Sequence, residues 1–382
     1  MEKARQIRIL HTGDVHLDSP FSRLSLERSE ERREALRATF SRLMALVREK
    51  QIDIALIAGD LFDCAYITAM TASLLIEELA ACPQCRFFIS PGNHDPYTQE
   101  SLYASLRLPE NVHVFSEETL SQVSLPALDT VVYGWAFTAE RHEGSPLSGR
   151  RVADPAALNL ICGHCDYAVP LTRYADVSAA DLAAFGAHYA AFAHRHLPSP
   201  PTRVENGCLW AYCGCLEGRS FDEPGKGGAY LLTATRGEEG GWTIEHERLT
   251  LSERQYAIAE IDLTGVSTKN EVAKRIKLAI RENGYDENTA LRVIFTGATP
   301  PDFAVPQEAD AREWNLYHIE LIDRTSPTYD AAVLDKDPTV RGELYRYLLP
   351  KLTEGTQEER ALAARALRMG LAALSGNDIT KL

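Results

Sequence analysis

Short apolar runs, each ending in a polar loop, recur along the first half of the chain. The runs that predict buried strands are 7–10, 54–58, 87–89, 158–162 and 189–193. Between the first two of these runs, residues 27–50 repeat apolar side chains at helical spacing. Strands and helices therefore alternate as far as residue 95, an order that predicts a βαβαβ unit with a parallel sheet.

A different pattern begins near Ser252. Before it, shorter apolar runs separated by glycine and proline indicate further strands and turns as far as residue 249. After it, the pattern is typical of a small α+β unit. Its predicted elements are a strand, an amphipathic helix and two more strands, at 254–262, 268–283, 291–296 and 316–322.

The last part of the chain predicts two helices, over 338–349 and 356–374, and we expect Pro350 and Gly355 to separate them. Their apolar residues are Leu344, Tyr345, Leu348 and Leu349 in the first and Leu362, Ala366, Met369 and Ala373 in the second. Such faces need a cover, either a partner protein or the chain's own domain. The predicted domains are 1–250, 251–330 and 331–382.

Acidic and histidine side chains follow each of the five predicted strands. In chain order the clusters are Asp14-Val15-His16, Gly59-Asp60-Leu61-Phe62-Asp63, Gly92-Asn93-His94-Asp95, Gly163-His164 and His194-Arg195-His196. Because the carboxyl ends of parallel strands meet at one edge of a sheet, we expect these side chains to converge there. Carboxylate, amide and imidazole ligands without thiolate suit manganese, iron or zinc and argue against a structural zinc site. The sequence therefore predicts a metal enzyme.

The order of these clusters, D-x-H, GD-x-x-D, GNHD, H and H-x-H, resembles that of the calcineurin-like metallophosphoesterases. The resemblance implies an α/β fold, a two-sheet sandwich flanked by helices, with two divalent ions. The implied ligands are Asp14, His16 and His196 for one ion, Asn93, His164 and His194 for the other, and Asp60 between them. Two ions about 3.5–4 Å apart clamp the attacking and leaving oxygens of an in-line displacement at phosphorus.

The same resemblance assigns His94 to catalysis rather than to metal binding. An imidazole beside the ions can stabilise the phosphate in the transition state or protonate the leaving oxygen. We expect Asp95 to orient His94. Asp63 has two interpretations, a residue that supports a ligand or the cap of the following helix. Manganese is the expected metal, with iron and zinc as alternatives.

Three further segments resemble the DNA-repair exonuclease branch, which contains the SbcD nuclease subunits and YhaO-like proteins. They are 12–21, 174–196 and 218–228. Members of this branch are manganese-dependent nucleases that carry a cap domain and bind an SMC-like ATPase through C-terminal helices. The resemblance thus implies DNA and such an ATPase as partners, and it leaves open whether the chain forms a homodimer. Ala193 replaces the glycine usual in the branch, which is tolerable only at a negative φ.

Composition limits how the chain can bind DNA. The net charge is −14 over 382 residues, so binding has to depend on local cations and on metal ions.

Apolar runs are too short to cross a bilayer and the first strand follows the N-terminus directly, so we expect a cytoplasmic protein that does not enter a membrane. Among the eight cysteines, Cys82 and Cys85 are interpreted as an incidental pair of thiols.

These observations leave three functions open. The first is a two-metal phosphodiesterase that cleaves DNA as an exonuclease or endonuclease, as the nuclease subunit of an SMC-like ATPase repair complex. The second is a metallophosphoesterase for small phosphoesters or nucleotides, which the acidic balance favours. The third is a scaffold without catalysis that only binds the ATPase, and the complete ligand set argues against it.

Overall fold

The computed structural model describes residues 6–22, 24–63, 66–205, 207–300, 303–328 and 330–374. The chain divides into two compact units, Met1–Gln255 and Tyr256–Leu382. The division into three domains at residues 250 and 330 stays a prediction. Among the described helices, none combines the length and the apolar character that crossing a membrane requires.

The first unit contains most of the strands. In chain order they are β1 (Gln6–Thr12), β2 (Ile54–Ile57), β3 (Arg86–Ile89), β4 (Val112–Val114), β5 (Ser121–Leu125), β6 (Thr130–Gly134), β7 (Leu158–His164), β8 (Asp166–Tyr167), β9 (Asp176–Val177), β10 (Tyr189–Ala193), β11 (Thr202–Arg203), β12 (Leu209–Tyr212), β13 (Gly225–Arg236) and β14 (Trp242–Asp262), whose last residues belong to the second unit. The helices are α1 (Leu26–Glu49), α2 (Ala69–Ala80), α3 (Leu102–Ser105) and α4 (Ala179–Phe185), with a 3₁₀ turn at Pro126–Leu128.

Two sheets pack face to face in this unit, which confirms the predicted α/β sandwich. Their strand orders are β14-β13-β1-β2-β3-β4 and β11-β12-β10-β7-β6-β5. Successive side chains of a strand point to opposite faces, so Ile9 lies in the core between the sheets and Leu10 lies in the core beneath α1. Phe40, Leu43 and Val47 of α1 cover that outer face.

The parallel strands bring the predicted clusters to one edge of the sandwich. Thr12 at the end of β1 pairs with Ile57 at the end of β2, and Ala193 at the end of β10 pairs with His164 at the end of β7. The pairing continues into the loops, where the Asp14 amide donates to the Gly59 carbonyl (3.0 Å). The loops that carry the candidate ligands are therefore held by backbone hydrogen bonds.

Ala193 lies at the end of β10, and it is not among the described residues with a positive φ. A methyl group is therefore compatible with the backbone at this position. Space for it comes from Gly13, since a Cβ there would lie 2.6 Å from the Cβ of Ala193. The pairing of a glycine with this alanine explains how the chain tolerates the change.

The second unit has strands packed with the helix α5, followed by a terminal group of helices. In chain order its elements are α5 (Lys269–Asn283), β15 (Thr289–Thr296), β16 (Ala298–Thr299), a 3₁₀ turn (Ala311–Trp314), β17 (His318–Asp323), β18 (Ser326–Pro327), α6 (Ala331–Lys336), α7 (Val340–Thr353) and α8 (Gln357–Leu374). One face of α5, with Val272 and Ile276, packs on Leu291 and Val293 of β15.

Two predictions about element boundaries are wrong. The strands predicted over 242–249 and 254–262 are one continuous strand, β14, which runs through the polar residues between them. Pro350 lies inside α7 instead of ending it. Packing of α7 on α8 stabilises the turn that a proline would otherwise weaken.

The helices α7 and α8 bury a shared apolar face. Tyr345 and Leu348 of α7 contribute to this small core together with Ala363, Leu367 and Leu371 of α8. The α8 residues predicted as an apolar face lie beside this core instead of in it. Leu362 is 70% exposed, and Ala366 and Ala373 are exposed as well, while Met369 is half-buried.

A buried ion pair joins α1 to the loop that follows β12. The Arg32 guanidinium lies 3.1 Å from the Glu217 carboxylate and donates to the carbonyl of Gly218 (2.6 Å). The Thr39 hydroxyl donates to the other oxygen of Glu217. Both charged side chains are almost fully buried, at 1% and 0% exposure, and Arg32 is the nearer of two cations at Glu217, since the Arg42 guanidinium lies 4.0 Å away.

We predict that Arg32→Ala lowers the free energy of unfolding by about 3–5 kcal/mol, because the buried Glu217 carboxylate loses the nearer of its two cations. The neighbouring Arg33 pairs with the exposed Glu30 at the surface, so Arg33→Ala should cost about 0–1 kcal/mol. Urea titration followed by tryptophan fluorescence measures both. Similar small losses for the two variants would contradict the role assigned to the buried pair.

Candidate metal centre

The residues predicted as metal ligands lie together at the edge of the sandwich. One group consists of Asp14, His16, Asp60 and His196, whose ligand atoms all lie within 4.8 Å of one another. A second group surrounds Nε2 of His164. The distances from this nitrogen are 3.0 Å to Oδ1 of Asn93, 3.2 Å to Nδ1 of His194 and 3.4 Å to Oδ2 of Asp60.

The second group places hydrogen-bond acceptors against one another. Nδ1 of His164 lies 3.0 Å from the carbonyl of Ala58, which can only accept, so Nδ1 carries the proton and Nε2 has a free lone pair. This lone pair faces the oxygens of Asn93 and Asp60, which are acceptors too. Ligands about 2.1 Å from a common ion lie roughly 3.0–3.4 Å from each other, so a bound cation fits this arrangement.

Asp60 connects the two groups. Its Oδ1 accepts a hydrogen bond from the His94 amide (3.0 Å). Among the described residues, its Oδ2 has no hydrogen-bond partner although it is buried, and it lies 3.4 Å from Nε2 of His164 and 3.8 Å from Nε2 of His16. Burial raises the pKa of Asp60 well above its ordinary value, since a carboxylate away from water needs a compensating charge. The position suits an oxygen shared by two cations.

The buried imidazoles of the site are neutral. Burial lowers the pKa of His16 to about 3 and that of His194 to about 4, and it holds the pKa of His164 well below its ordinary value. At neutral pH these three side chains therefore offer lone pairs and supply no positive charge to the carboxylates of Asp14 and Asp60. This is the donor set that a divalent cation requires.

The backbone of several candidate ligands is strained. The φ angles of Asp14, His16 and Asp60 are 44°, 51° and 48°, in the left-handed region, and that of His194 is 104°. Such conformations cost free energy, on the order of 1–3 kcal/mol each, and cluster at functional sites. Gly92 is required beside them, because a Cβ at that position would lie 2.2 Å from Oδ1 of Asp60.

Asp63 supports a candidate ligand, which decides between its two interpretations. Its Oδ1 lies 2.8 Å from Nδ1 of His16 and 3.3 Å from Nδ1 of His94, and its Oδ2 accepts from the Ser19 hydroxyl (2.7 Å). Although burial raises the pKa of Asp63, the contacts with His16 and Arg219 hold it below its ordinary range. A carboxylate on Nδ1 directs Nε2 of His16 to the metal position.

Glu223 and Arg219 complete this supporting layer, and sequence reasoning gave neither of them a role at the metal ligands. Glu223 lies 2.7 Å from Nδ1 of His196, and its contact raises the pKa of that imidazole although burial lowers it. The Arg219 guanidinium contacts both supporting carboxylates, at 3.0 Å from Asp63 and 2.7 Å from Glu223. The Arg219 guanidinium therefore fixes the two carboxylates that orient His16 and His196.

Asp95 does not orient His94, so that prediction is wrong. Its carboxylate is buried and accepts from the amides of Leu61 (2.7 Å) and Gly92 (2.7 Å) and from the Tyr103 hydroxyl (2.5 Å). The two residues are adjacent, but the side chain of Asp95 is directed into the protein while that of His94 is 43% exposed. Asp95 thus ties the loop after β2 to the loop after β3, and Asp63 takes the place beside His94.

The site has a closed floor and an open mouth. Asp14, His16, Asp60 and His164 are at most 1% exposed. The side chain of His196 is 28% exposed and that of His94 is 43% exposed. Among the described residues, the site is therefore most open on the side where His94 and His196 lie.

We predict that Arg219→Ala lowers the affinity for Mn²⁺ about 10–100-fold, because Asp63 and Glu223 lose the cation that holds them against His16 and His196. Isothermal titration calorimetry on the purified chain measures this. Arg219→Lys should recover only part of the affinity, since an ammonium group lacks the planar fork that contacts two carboxylates. Arg203→Ala, which removes an exposed guanidinium, is the control, and equal affinities in all variants would contradict the role of Arg219.

Comparison with known proteins agrees with this geometry. Residues 7–203 match the calcineurin-like phosphoesterase family. The chain is 25% identical over 308 residues to the uncharacterized metallophosphoesterase YhaO of Bacillus subtilis, which covers 77% of this chain and 72% of YhaO. It is 24% identical over 295 residues to the DNA double-strand break repair protein Mre11 of Methanopyrus kandleri, covering 71% of this chain and 62% of that protein. The SbcD component of the SbcCD nuclease of Rhodobacter capsulatus is 31% identical over 120 residues, 30% of this chain and 28% of that protein. Since the family match extends over more than half of its length, the chain belongs to the calcineurin-like phosphoesterases, metal-dependent hydrolases of phosphate esters.

Proposed function

We propose that this chain is a manganese-dependent phosphodiesterase that cleaves DNA. The observation that carries the proposal is the buried Oδ2 of Asp60, which lies between two groups of metal-binding side chains. Relatives named as Mre11 and as a component of a nuclease support DNA as the substrate. The proposed ligands are Asp14, His16 and His196 for one ion, Asn93, His164 and His194 for the other, and Asp60 for both.

The proposed chemistry divides between the ions and the side chains. Two bound divalent ions supply Lewis acidity to the phosphoryl oxygens and lower the pKa of water. His94 lies at the mouth of the site with its Nδ1 3.3 Å from Asp63, a carboxylate that favours the imidazolium form of the ring. In that form Nε2 carries a proton that it can donate to the leaving oxygen, and His94 becomes neutral. The amide of His94 donates to Oδ1 of Asp60, so the catalytic imidazole and the shared carboxylate keep a fixed separation.

Local cations support contact with a DNA backbone despite the acidic net charge. Arg195 lies between the ligands His194 and His196, and its side chain is 51% exposed. It lies 3.3 Å from Asp166, which limits its motion without covering it. An exposed guanidinium next to the open mouth can bind a phosphate that neighbours the one being cleaved.

The main test is cleavage by the purified chain in manganese of labelled single- and double-stranded DNA, beside a chromogenic phosphodiester. We expect both kinds of substrate to be cleaved, and His94→Ala to lower kcat about 10²–10⁴-fold while both ions stay bound. His246→Ala, which removes an exposed histidine of β14, is the control. Hydrolysis of the small ester alone would favour a phosphoesterase for small substrates, and loss of metal in His94→Ala would contradict its catalytic role.

We also propose that α8 docks on an SMC-like ATPase. Because α7 and α8 already cover each other through Tyr345, Leu348 and Leu367, the surface left for a partner is the adjacent side of α8. Leu362 on that side is 70% exposed. An amphipathic helix of this kind can insert its apolar side into a groove.

We predict that Leu362→Glu abolishes co-purification with a co-expressed SMC-like ATPase and leaves hydrolysis of the chromogenic ester unchanged, because the charge falls on the docking face and outside the helix core. Leu278→Glu on α5 replaces another exposed leucine, 43% exposed, and should keep the complex. Size-exclusion chromatography of the co-expressed proteins measures both. A complex that survives Leu362→Glu would reject this docking face.

A further inference from the structure

A cavity of about 200 Å³ lies next to the candidate metal centre, with His94 among its lining residues. His94 forms one wall of it, and the ring of the same residue packs edge-on against the candidate ligand His16, with the centroids 5.1 Å apart. The loops after β2 and β3 supply the other walls. The cavity therefore lies within reach of a group attached to an oxygen that His94 contacts.

The walls of the cavity are aromatic and apolar. The rings of Phe62 and Tyr103 lie 5.4 Å apart at its base, and the Tyr103 hydroxyl is already bonded to Asp95. Pro96 and Leu102 add further apolar surface, and the Tyr66 ring at the rim is 85% exposed. Planar side chains around a small space are typical of sites on which a nucleobase stacks.

The charges of the cavity disfavour a phosphate. The described residues that line it include no lysine or arginine, while Glu100 lies exposed at its edge. A carboxylate repels an anion but accepts a hydrogen bond from the ring N–H or amino group that each nucleobase carries. At about 200 Å³ the cavity is smaller than the roughly 300–1,000 Å³ typical of ligand pockets, so it admits one base and not a whole nucleotide.

We propose that this cavity binds the nucleobase on the leaving side of the scissile phosphodiester. The inference rests on the proposed function, and it adds a substrate requirement to it. A base within a duplex cannot enter such a cavity without leaving its stack, so the site selects a nucleotide that is unpaired or flipped out. His94 would then contact the leaving oxygen while Tyr66 and Phe62 hold the base attached to it.

Calorimetric titration of the manganese-loaded full chain tests the base site without any need for DNA cleavage. The ligands are deoxyadenosine 5′-monophosphate, deoxyadenosine 3′-monophosphate and deoxyribose 5-phosphate, which lacks the base. We expect at least one nucleotide to bind at least about fivefold more tightly than the sugar phosphate, the lower end of what one stacked base contributes. Tyr66→Ala and Thr98→Trp should each remove this preference while the affinity for deoxyribose 5-phosphate stays unchanged.

Matched variants separate binding from folding. Tyr66→Phe keeps the ring and Thr98→Ser keeps the space, so both should retain the preference for the nucleotide. Equal affinities for nucleotide and sugar phosphate in the wild type, or binding of neither ligand, would overturn the base site. A base preference in a chain that cleaves no DNA would instead reject the nuclease proposal and leave the base site standing, so the two failures are distinguishable.

Discussion

The buried carboxylate of Asp60 is the constraint on which the rest of the first unit depends. One of its oxygens is bonded to the backbone, and the other lies between neutral imidazoles that offer lone pairs and no protons. A negative charge in such a place is stable only if cations neutralise it. The surrounding architecture follows from this need, because acceptor atoms must be held against one another when no metal is bound.

The fold meets this requirement by placing rigid elements around the buried floor of the site. Parallel strands bring the ligand loops to one edge, and backbone hydrogen bonds and the Asp95 carboxylate hold these loops in strained conformations. The loop after β12 has two roles, one in stability and one at the metal ligands. Glu217 anchors it to α1 through Arg32, and two residues later Arg219 fixes the carboxylates that orient His16 and His196. Stability and metal binding are therefore coupled through one short segment.

The sequence predicted what depends on local pattern. Apolar runs followed by acid and histidine clusters indicated the five strands that lead into the site, because each signal lies within a few residues. The resemblance to a known family then selected the candidate ligands from these clusters. Arg219 and Asp63 are 156 positions apart, so no local pattern shows that they meet. Asp95 was assigned wrongly because adjacent side chains point in different directions. The buried side of α8 is shifted by about one residue from the predicted apolar face, since the contact with α7 decides which side of the helix is buried.

Counting the bound ions tests the central claim most directly. Elemental mass spectrometry of the purified, manganese-loaded chain should find two ions per chain, and Asp60→Ala should lose the pair because both groups share its oxygen. Asp222→Ala, which removes an exposed carboxylate near the site in the sequence, should keep both ions. One ion or none in the wild type, or two ions retained in Asp60→Ala, would contradict the account.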